Sequence, residues 1–324
     1  MGKPAVDRSG PGLLRGLSHL VQAAGLYAAI FLLRCLGPEK ASNLGGWVTR
    51  SIGPLLSVSK VADDNLSQAL PALSAPERAG IIRTVWDNLG RNAAELPHLK
   101  SLKRSPSGPG WEIEGEAHIE VLRKSGGQVL FFSGHLGNWE MILPIAACLG
   151  LPVSGFYRAA SNPTANTMIQ SLREQALDRG VSMFAKGAQG ARAALAHLQG
   201  GGSLGLLVDQ KMNDGVAVPF FGRAAMTAPA IAQFALRFSA PIVPVRVLRL
   251  GPARFRMVCE APLIVTRTAD KKADTYAILL AVNATLERWI REEPGSWLWL
   301  HRRWPATAPT LKKARRGWPR QARP

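Results

Sequence analysis

His135 and Glu140 are the residues whose types and spacing first suggest chemistry, within the stretch FFSGHLGNWE at residues 131–140. A neutral imidazole accepts a proton near neutral pH. A carboxylate that holds the other ring nitrogen fixes the tautomer and stabilises the imidazolium. The pair by itself is a weak signal, because a His can meet an acidic residue at this spacing by chance. Its position in the predicted fold decides how much weight it carries.

The predicted fold puts this pair at the end of a strand. Residues 129–132 form a short apolar run typical of a strand buried in a parallel sheet, and 136–149 reads as a helix. His135 therefore follows the carboxyl end of a strand, where open α/β sheets bind their ligands. Five positions along one helix turn by about 500°, so the pair meets only if His135 lies on the turn and Glu140 reaches back.

Two glycines flank this histidine. We expect Gly134 and Gly137 to let backbone N–H groups approach a developing oxyanion near the start of the helix. The alternative interpretation is that His135 and Glu140 only cap that helix.

A glycine-rich stretch elsewhere matches two motifs that can be set aside. Residues 201–205, GGSLG, match the serine-hydrolase elbow, and glycines of the same stretch match the dinucleotide fingerprint. Both motifs need a strand before them and a helix after them. Here a predicted helix at 188–198 comes first and a predicted strand at 204–208 follows, so we interpret the stretch as a turn. Three widely spaced Cys give neither a disulfide framework nor a metal site.

From residue 129 onward, short apolar runs alternate with amphipathic stretches. Strands are predicted at 129–132, 153–157, 181–184, 204–208, 242–248 and 255–259. Helices are predicted at 136–149, 163–179, 188–198, 228–238 and 270–293. This alternation predicts an α/β fold, with a mixed, largely parallel sheet covered by helices.

The N-terminal part of the chain is predicted to be helical. Helices are expected at 17–33, 39–56, 63–70 and 75–95. Gly37 and Pro38 separate the first two, and Ser74 with Glu77 indicates a capping box that starts the fourth. We divide the chain into a membrane-associating helix at 1–36, a catalytic domain at 37–310 and a basic tail at 311–324.

The composition favours anionic partners. Lys plus Arg number 40 against 22 Asp plus Glu, which gives a formal net charge of +18. A field of that sign attracts nucleic acid, phospholipid headgroups, phosphorylated substrates and acidic carrier proteins alike. With 47% hydrophobic residues, the chain is also apolar for a soluble enzyme.

Both ends of the chain suggest contact with an anionic membrane surface. The apolar segment 17–33 has about the minimum length that spans a bilayer, so we expect it to lie in the interface or to cross marginally. Residues 294–324 lack acidic side chains and contain eight Lys or Arg, a pattern typical of interfaces when Trp lies among them. The Trp residues there are Trp297, Trp299, Trp304 and Trp318. The alternatives are a first helix packed on the domain, a solvated tail with packed Trp, and nucleic-acid binding, for which no module is recognisable.

Residues 134–140 resemble the first motif of the lipid A biosynthesis lauroyl/myristoyl acyltransferase family. Four other stretches agree with that family in order and approximate spacing. They are DNLGR at 87–91, YR at 157–158 with NP at 162–163, DQ at 209–210 with Gly215 and VPFFG at 218–222, and WLHRRW at 299–304. The likeness covers nearly the whole chain, from the apolar N-terminal helix to Trp304.

This resemblance implies an inner-membrane enzyme that faces the cytosol. Such an enzyme takes an acyl chain from acyl carrier protein and esterifies a hydroxyl of a lipid A precursor, while related members acylate other glycolipids. Glycerophosphate acyltransferases share the His motif, but they usually have Asp where Glu140 stands and carry a Phe-Pro-Glu-Gly block that is absent here. The resemblance thus argues against glycerophospholipid synthesis.

The resemblance also assigns roles to residues. His135 is the expected general base, Glu140 its orienter, and Arg158 a contact for a phosphate or the carrier. The expected substrate contacts are Asn138, Arg158, Asp209, Gln210, Phe220 and Phe221, the two Phe as lining of an acyl channel unless they are simple core. No metal or cofactor is expected, because a thioester is already activated. The rival readings are acylation of another glycolipid or phospholipid, a thioesterase, and a basic membrane-binding protein without catalysis.

Overall fold

The computed structural model of the protein describes residues 10–160, 162–177, 180–265 and 267–304, with side chains of the first helix from Val21 onward. Four helices come first: α1 Gly10–Leu36, α2 Pro38–Ile52, α3 Ser59–Ala69 and α4 Ala75–Glu95. None of the helices in the described part of the chain combines the length and the apolar character needed to cross a bilayer.

Both predicted helix boundaries in this region are confirmed. Gly37 has a φ of 72°, in the left-handed region that favours glycine, and Pro38 opens α2. At the start of α4, the Ser74 N–H donates to Glu77 Oε2 over 2.7 Å, which completes the capping box.

Glycines let α2 and α4 cross at close range. A Cβ on Gly90 would stand 2.0 Å from Thr49 Oγ1 and 2.2 Å from the Gly45 carbonyl oxygen, so only a hydrogen fits there. The Thr49 hydroxyl donates to the Trp86 carbonyl oxygen over 2.6 Å across the same contact. The crossing therefore fixes α4, whose later turns carry polar side chains into the site described below.

The central sheet has seven strands. They are β1 Gly110–Glu114, β2 Leu130–Ser133, β3 Val153–Tyr157, β4 Met183–Ala185, β5 Ser203–Leu207, β8 Ile242–Gly251 and β9 Arg254–Cys259. Their order is β1-β9-β8-β2-β5-β3-β4, and every neighbouring pair is parallel except β8 and β9. The strands β6 Lys211–Phe220 and β7 Arg223–Thr227 form a separate antiparallel pair. The predicted α/β fold with a mixed, largely parallel sheet is confirmed.

Helices cover both faces of the sheet. They are α5 Glu116–Ser125, α6 Ile142–Cys148, α7 Pro163–Ala176, α8 Ala188–Gln199, α9 Ala230–Phe238 and α10 Lys271–Glu292. Phe131 packs in a cluster with residues of α5 and α6, and its neighbour Phe132 packs with residues of α9 and α10 on the other face. Because successive side chains of β2 are buried on opposite faces, this strand lies at the centre of the molecule.

Four elements differ from the sequence prediction. The strand β1, the helix α5 and the β6–β7 hairpin were not predicted, since β6 carries a polar, glycine-containing stretch instead of an alternating pattern. The helix predicted at 136–149 begins late: a loop follows β2, then a 3₁₀ turn Trp139–Met141, and only then α6. Gly137 explains the delay, because its φ of 52° is incompatible with a right-handed helix.

The three Trp residues of the C-terminal segment that the structure describes are buried, which contradicts their predicted place at a membrane interface. Trp297, Trp299 and Trp304 all lie in the core. The Trp304 N–H donates to the Phe220 carbonyl oxygen over 3.2 Å, so the polar end of that ring is satisfied inside the protein. Trp318 and the predicted tail at 311–324 lie outside the described residues.

Gly90→Ala should lower the free energy of unfolding by about 1–3 kcal/mol, because the new methyl group overlaps the α2 backbone. Gly80→Ala on the same helix is the matched control: a Cβ there meets nothing within 4 Å. That change should instead stabilise the protein by about 0.5–1 kcal/mol through the helix propensity of Ala. Chemical unfolding of both variants checks this, and a stabilised Gly90→Ala protein would contradict the packing of α2 on α4.

Candidate active site

His135 and Asp209 form a hydrogen-bonded dyad at the carboxyl edge of the sheet. His135 follows β2, Asp209 follows β5, and these two strands are parallel neighbours, so their ends meet. The His135 Nδ1 lies 2.8 Å from Asp209 Oδ1, and the His135 backbone N–H donates to Oδ2 over 2.9 Å. Asp209 is 0% exposed. The predicted substrate contact of Asp209 is contradicted, because this fully buried carboxylate is bonded to the ring and the backbone of His135.

Glu140 does not hold the His135 ring, so the predicted pairing is wrong in its geometry. Its carboxylate pairs with Arg173 on α7, at 2.8 Å from Nε and 2.5 Å from Nη2. The 3₁₀ turn that contains Glu140 directs the side chain towards α7, while Asp209 already occupies the Nδ1 side of the ring. A catalytic role for Glu140 stays a prediction.

The electrostatics of the dyad suit a general base. Burial of the imidazole acts to lower the pKa of His135, but the Asp209 carboxylate, with help from Glu140, outweighs burial and raises it; Lys186 opposes this rise. For Asp209, burial acts to raise the pKa, yet the adjacent His135 holds it well below its usual range. A carboxylate acceptor keeps the proton of the neutral ring on Nδ1, and this leaves Nε2 as the base.

Two side chains lie beside that free nitrogen. Gln210 Nε2 is 3.4 Å from His135 Nε2. An incoming substrate hydroxyl can displace this long hydrogen bond. The Trp139 ring meets the imidazole edge-on, with centroids 5.0 Å apart. Gln210 therefore lies at the site, and its predicted substrate contact stays a prediction.

The loop after β2 is fixed by its neighbours through Gly137. A Cβ on Gly137 would stand 1.8 Å from the Val247 carbonyl oxygen. Its carbonyl oxygen accepts from Asn88 Nδ2 at 3.0 Å and from Asn92 Nδ2 at 2.6 Å. Its N–H donates to the Ser296 carbonyl oxygen over 3.1 Å. The expectation that Gly137 offers its N–H to an oxyanion is therefore wrong, because that donor is already used.

Asn138 is a structural residue of this loop, which contradicts its predicted substrate contact. It is buried, its amide nitrogen donates to Glu95 Oε2 over 2.7 Å, and its amide oxygen accepts from the Glu140 N–H. Glu95 is itself buried and pairs with Arg249, whose Nη1 lies 2.5 Å from Oε1. A buried ion pair whose remaining atoms are hydrogen-bonded fixes geometry more than it adds stability.

A cavity of about 260 Å³ opens beside His135. Its polar lining includes Tyr157, Arg158, Arg173 and Glu140, and its apolar lining includes Phe131, Ile142, Leu143, Met183 and Val245. Gly155 and Gly205 also line the cavity, and a Cβ on either would stand 2.7 Å or 3.2 Å from Leu143. Such a cavity suits a molecule with an apolar chain and a polar or anionic head.

Arg158 is the cation in this lining that is available to bind an anion. Its side chain is exposed, and none of the hydrogen bonds or ion pairs among the described residues involves it. Its predicted role as an anion contact stays a prediction that this geometry permits. Arg173, by contrast, is occupied by Glu140.

Phe220 and Phe221 do not line the cavity, which contradicts their predicted place in an acyl channel. Both are buried in the core cluster on the α9 and α10 face. Phe220 packs against Trp297 and Trp304, with ring centroids 5.8 Å and 5.6 Å away. The alternative that this pair of Phe is simple core holds.

Sequence reasoning missed Arg173, Trp297 and the pair of Glu95 with Arg249. Trp297 donates its indole N–H to Asp209 Oδ2 over 2.8 Å. The neighbouring stretch at 299–304 was a family-like signal, but nothing in it connects Trp297 with Asp209. Arg173 and Arg249 carry no local signal, since each meets its partner only through the tertiary fold.

A comparison with protein-family models agrees with the motifs. A family model described as bacterial lipid A biosynthesis acyltransferase matches residues 14–306, which include the dyad and the cavity. Among solved structures, the chain is similar to the 1-acyl-sn-glycerophosphate (LPA) acyltransferase PlsC from Thermotoga maritima, with 14% identity, 76% of this chain and 99% of that chain covered, and a TM-score of 0.35. A search of curated proteins finds no match.

Asp209→Asn should reduce the maximal turnover by roughly 10²–10⁴-fold. It should also move the acid limb of the pH profile of kcat/KM to lower pH. A general base works only when it is neutral, and the Asp209 charge raises the pKa of His135. Without that charge, His135 stays neutral at lower pH but is a weaker base in a less defined tautomer. Steady-state kinetics across pH measure both effects.

Glu140→Gln is the contrasting variant for the same measurement. Its charge acts on His135 through space, and its carboxylate fixes Arg173 in the cavity wall. We expect a smaller shift of the acid limb than in Asp209→Asn, together with a raised KM. If Glu140→Gln moves the limb as far as Asp209→Asn or further, Asp209 is not the principal partner of the ring.

Proposed function

Because this chain belongs to the bacterial lipid A biosynthesis acyltransferase family, and is therefore an acyltransferase, we propose that it moves a fatty acyl chain from acyl carrier protein to a hydroxyl of a lipid A precursor. The observation that carries the mechanism is the His135 ring, whose Nδ1 is bonded to a buried Asp209 while the ring lines a cavity with an apolar interior. His135 is the proposed general base, and Asp209 is the proposed orienter in place of Glu140.

In the proposed reaction, His135 Nε2 takes the proton of the acceptor hydroxyl as its oxygen attacks the thioester carbonyl carbon. The tetrahedral intermediate then collapses, the C–S bond breaks, and the imidazolium returns its proton to the leaving thiolate. General-base assistance of this kind contributes ~10²–10⁴-fold. A thioester is already activated towards attack by an alcohol, so the proposal includes no metal or cofactor.

Charge supports the proposed substrates. The net charge of +18 favours an acidic carrier protein and a phosphorylated glycolipid, because opposite charge steers the encounter. Arg158 lines the cavity without a carboxylate partner among the described residues, and exposed Lys186 is close enough to act on the pKa of His135. These two cations are the proposed contacts for a phosphate of the carrier arm or of the acceptor.

The test uses purified protein, acyl carrier protein loaded with a labelled acyl chain, and one of three acceptors. A lipid A precursor with a free hydroxyacyl chain should gain the label as an ester, detected by mass spectrometry. Lysophosphatidic acid and water alone should gain little. His135→Ala, checked for folding by circular dichroism, should lose roughly 10²–10⁴-fold of this rate. Equal labelling of lysophosphatidic acid would redirect the proposal to glycerophospholipids, and release of free acid in every arm would make the protein a thioesterase.

The donor is tested by ionic strength in the same assay. Raising salt from about 50 to about 500 mM shortens the Debye length and weakens steering, so the apparent KM for the loaded carrier should rise. Acyl-coenzyme A, with far less charge, should respond less. A flat salt response, or equal use of acyl-coenzyme A, would count against a carrier protein as donor.

We also propose that the protein acts at the cytoplasmic face of the inner membrane, attached through α1. Among the side chains of α1 that the structure describes, from Val21 onward, one stripe is buried or half-buried on the domain: Ala23, Leu26, Ile30 and Leu33. Apart from Gln22 and Arg34, the other described side chains of this helix are apolar or aromatic and exposed; Phe31 is 67% exposed. His98 donates from Nε2 to the Leu33 carbonyl oxygen over 3.0 Å, which fixes the helix to the domain. An apolar helix covered on one side only suits a lipid interface.

The helix α2 and the 3₁₀ turn Gly53–Leu55 after it also carry exposed apolar side chains. Leu44, Trp47, Val48, Ile52, Leu55 and Leu56 are exposed there, at helical spacing that puts them on one side. Trp47 is 57% and Leu55 is 84% exposed. Large contiguous apolar patches are rare on soluble monomers and typically mark an interaction site. We therefore assign the membrane-anchoring role to these exposed residues of α1 and α2, and not to Trp297, Trp299 and Trp304 as the sequence suggested.

Trp47→Glu should weaken binding to vesicles that contain anionic lipid, because a charge enters the proposed contact surface. Val121→Glu is the matched control, since Val121 is 68% exposed on α5, outside this surface. High salt should not release the wild-type protein, because apolar burial is not screened. Co-sedimentation measures binding; equal losses in the two variants, or release by salt alone, would contradict the proposed surface.

A further inference from the structure

The segment after α10 forms one wall of the catalytic loop. The Leu298 N–H donates to the His135 carbonyl oxygen over 3.0 Å, and the Ser296 carbonyl oxygen accepts from the Gly137 N–H at 3.1 Å. Leu136 and Trp297 face each other between these bonds as an antiparallel bridge. The backbone that carries His135 is therefore paired with a segment about 160 residues away in the chain, beyond all strands of the sheet.

Trp297 also reaches the dyad with its side chain. Its indole N–H donates to Asp209 Oδ2 over 2.8 Å, the same oxygen that accepts the His135 backbone N–H at 2.9 Å. The other oxygen, Oδ1, is thus left to face the His135 ring at 2.8 Å. Two donors on one oxygen fix the rotation of the carboxylate, and hence the direction from which it holds the imidazole.

The indole has little freedom to leave this position. Trp297 is 0% exposed, and its ring meets those of Trp299 and His301 edge-on at 4.6 Å and 5.2 Å between centroids. Phe220 packs against a third side at 5.8 Å. Trp297 itself does not line the cavity beside His135.

We infer that Trp297 is a positioning residue of the active site: through Asp209 it sets the orientation and proton affinity of the His135 ring. The inference rests on the proposed general-base role of His135. The indole N–H withdraws charge from Asp209, so its loss leaves a more basic carboxylate that stabilises the imidazolium more strongly. The reaction should then need a higher pH before His135 is neutral.

Four other titratable groups interact electrostatically with His135 or Asp209: Glu140, Lys186, His301 and Arg303. Glu140 raises the pKa of His135 and Lys186 lowers it, whereas burial lowers the pKa of His301, which interacts with both members of the dyad. Arg303 lies within electrostatic range of Asp209. All of these groups are unchanged by a substitution of Trp297, so a shift in the titration of His135 reports on the indole N–H.

The experiment compares Trp297→Phe with Trp299→Phe. Trp299 is the matched control, because it is equally buried in the same segment but donates its N–H to the Pro294 carbonyl oxygen over 2.8 Å and not to the dyad. Trp297→Phe should lower kcat roughly tenfold, leave the KM for the loaded carrier unchanged, and move the acid limb of kcat/KM to higher pH. Trp299→Phe should leave the limb in place, even if it lowers the thermal stability.

A second readout does not depend on the substrate. The titration of His135, followed by NMR of ¹⁵N-labelled histidine, should move to higher pH in Trp297→Phe and not in Trp299→Phe. If Trp297→Phe does not fold, benzothienylalanine at position 297 keeps the shape of the ring and removes only the N–H. A titration that stays in place without this N–H, or moves as far in Trp299→Phe, overturns the inference. Absence of acyl transfer by the wild-type protein would instead overturn the proposed function and leave the titration result standing.

Discussion

The buried carboxylate of Asp209 is the charge around which the site is organised. Removing a carboxylate from water costs several kcal/mol unless donors replace the lost hydration. Three donors do so here: the His135 ring, the His135 N–H and the Trp297 indole N–H. They come from the end of β2 and from the segment after α10, so the charge is satisfied only when both meet the end of β5. The catalytic geometry therefore depends on the packing of the C-terminal segment, because both are needed to satisfy the Asp209 carboxylate.

A second buried charge serves the same loop from the opposite side. Glu95 is satisfied by Arg249 and by Asn138, and the same α4 helix supplies the two amide donors to the Gly137 carbonyl oxygen. The glycine contacts between α2 and α4 set how far these side chains reach. The N-terminal helices thus do more than offer an apolar surface, since they also position the turn on which His135 lies. This connection explains why a proposed membrane-facing region and the chemistry occur in one compact unit.

The sequence predicted six of the seven strands of the sheet, because each of those six is a local apolar run, and it missed β1. It also put His135 and Asp209 each directly after a predicted strand, although it did not show that the two strands are neighbours. It assigned the partner of His135 wrongly, since Glu140 is nearest in sequence and sequence spacing carries no information about the turn that directs Glu140 to Arg173. The predicted membrane contact of Trp297, Trp299 and Trp304 was wrong for a related reason. A Trp beside Arg suits a membrane interface and a buried core equally, and only the tertiary packing decides between them.

Arg303 shows how that packing also adjusts the field at the dyad. This side chain is wholly buried, donates to the Met226 carbonyl oxygen and to Thr227 Oγ1, and lies 5.0 Å over the Phe220 ring. Burial lowers its pKa to about 10, and the Asp209 charge opposes that fall. A guanidinium keeps its proton at that pKa, so it stays a cation at neutral pH and partly offsets the Asp209 carboxylate. Phe220, predicted to hold an acyl chain, instead supplies the aromatic face that makes a buried cation tolerable there.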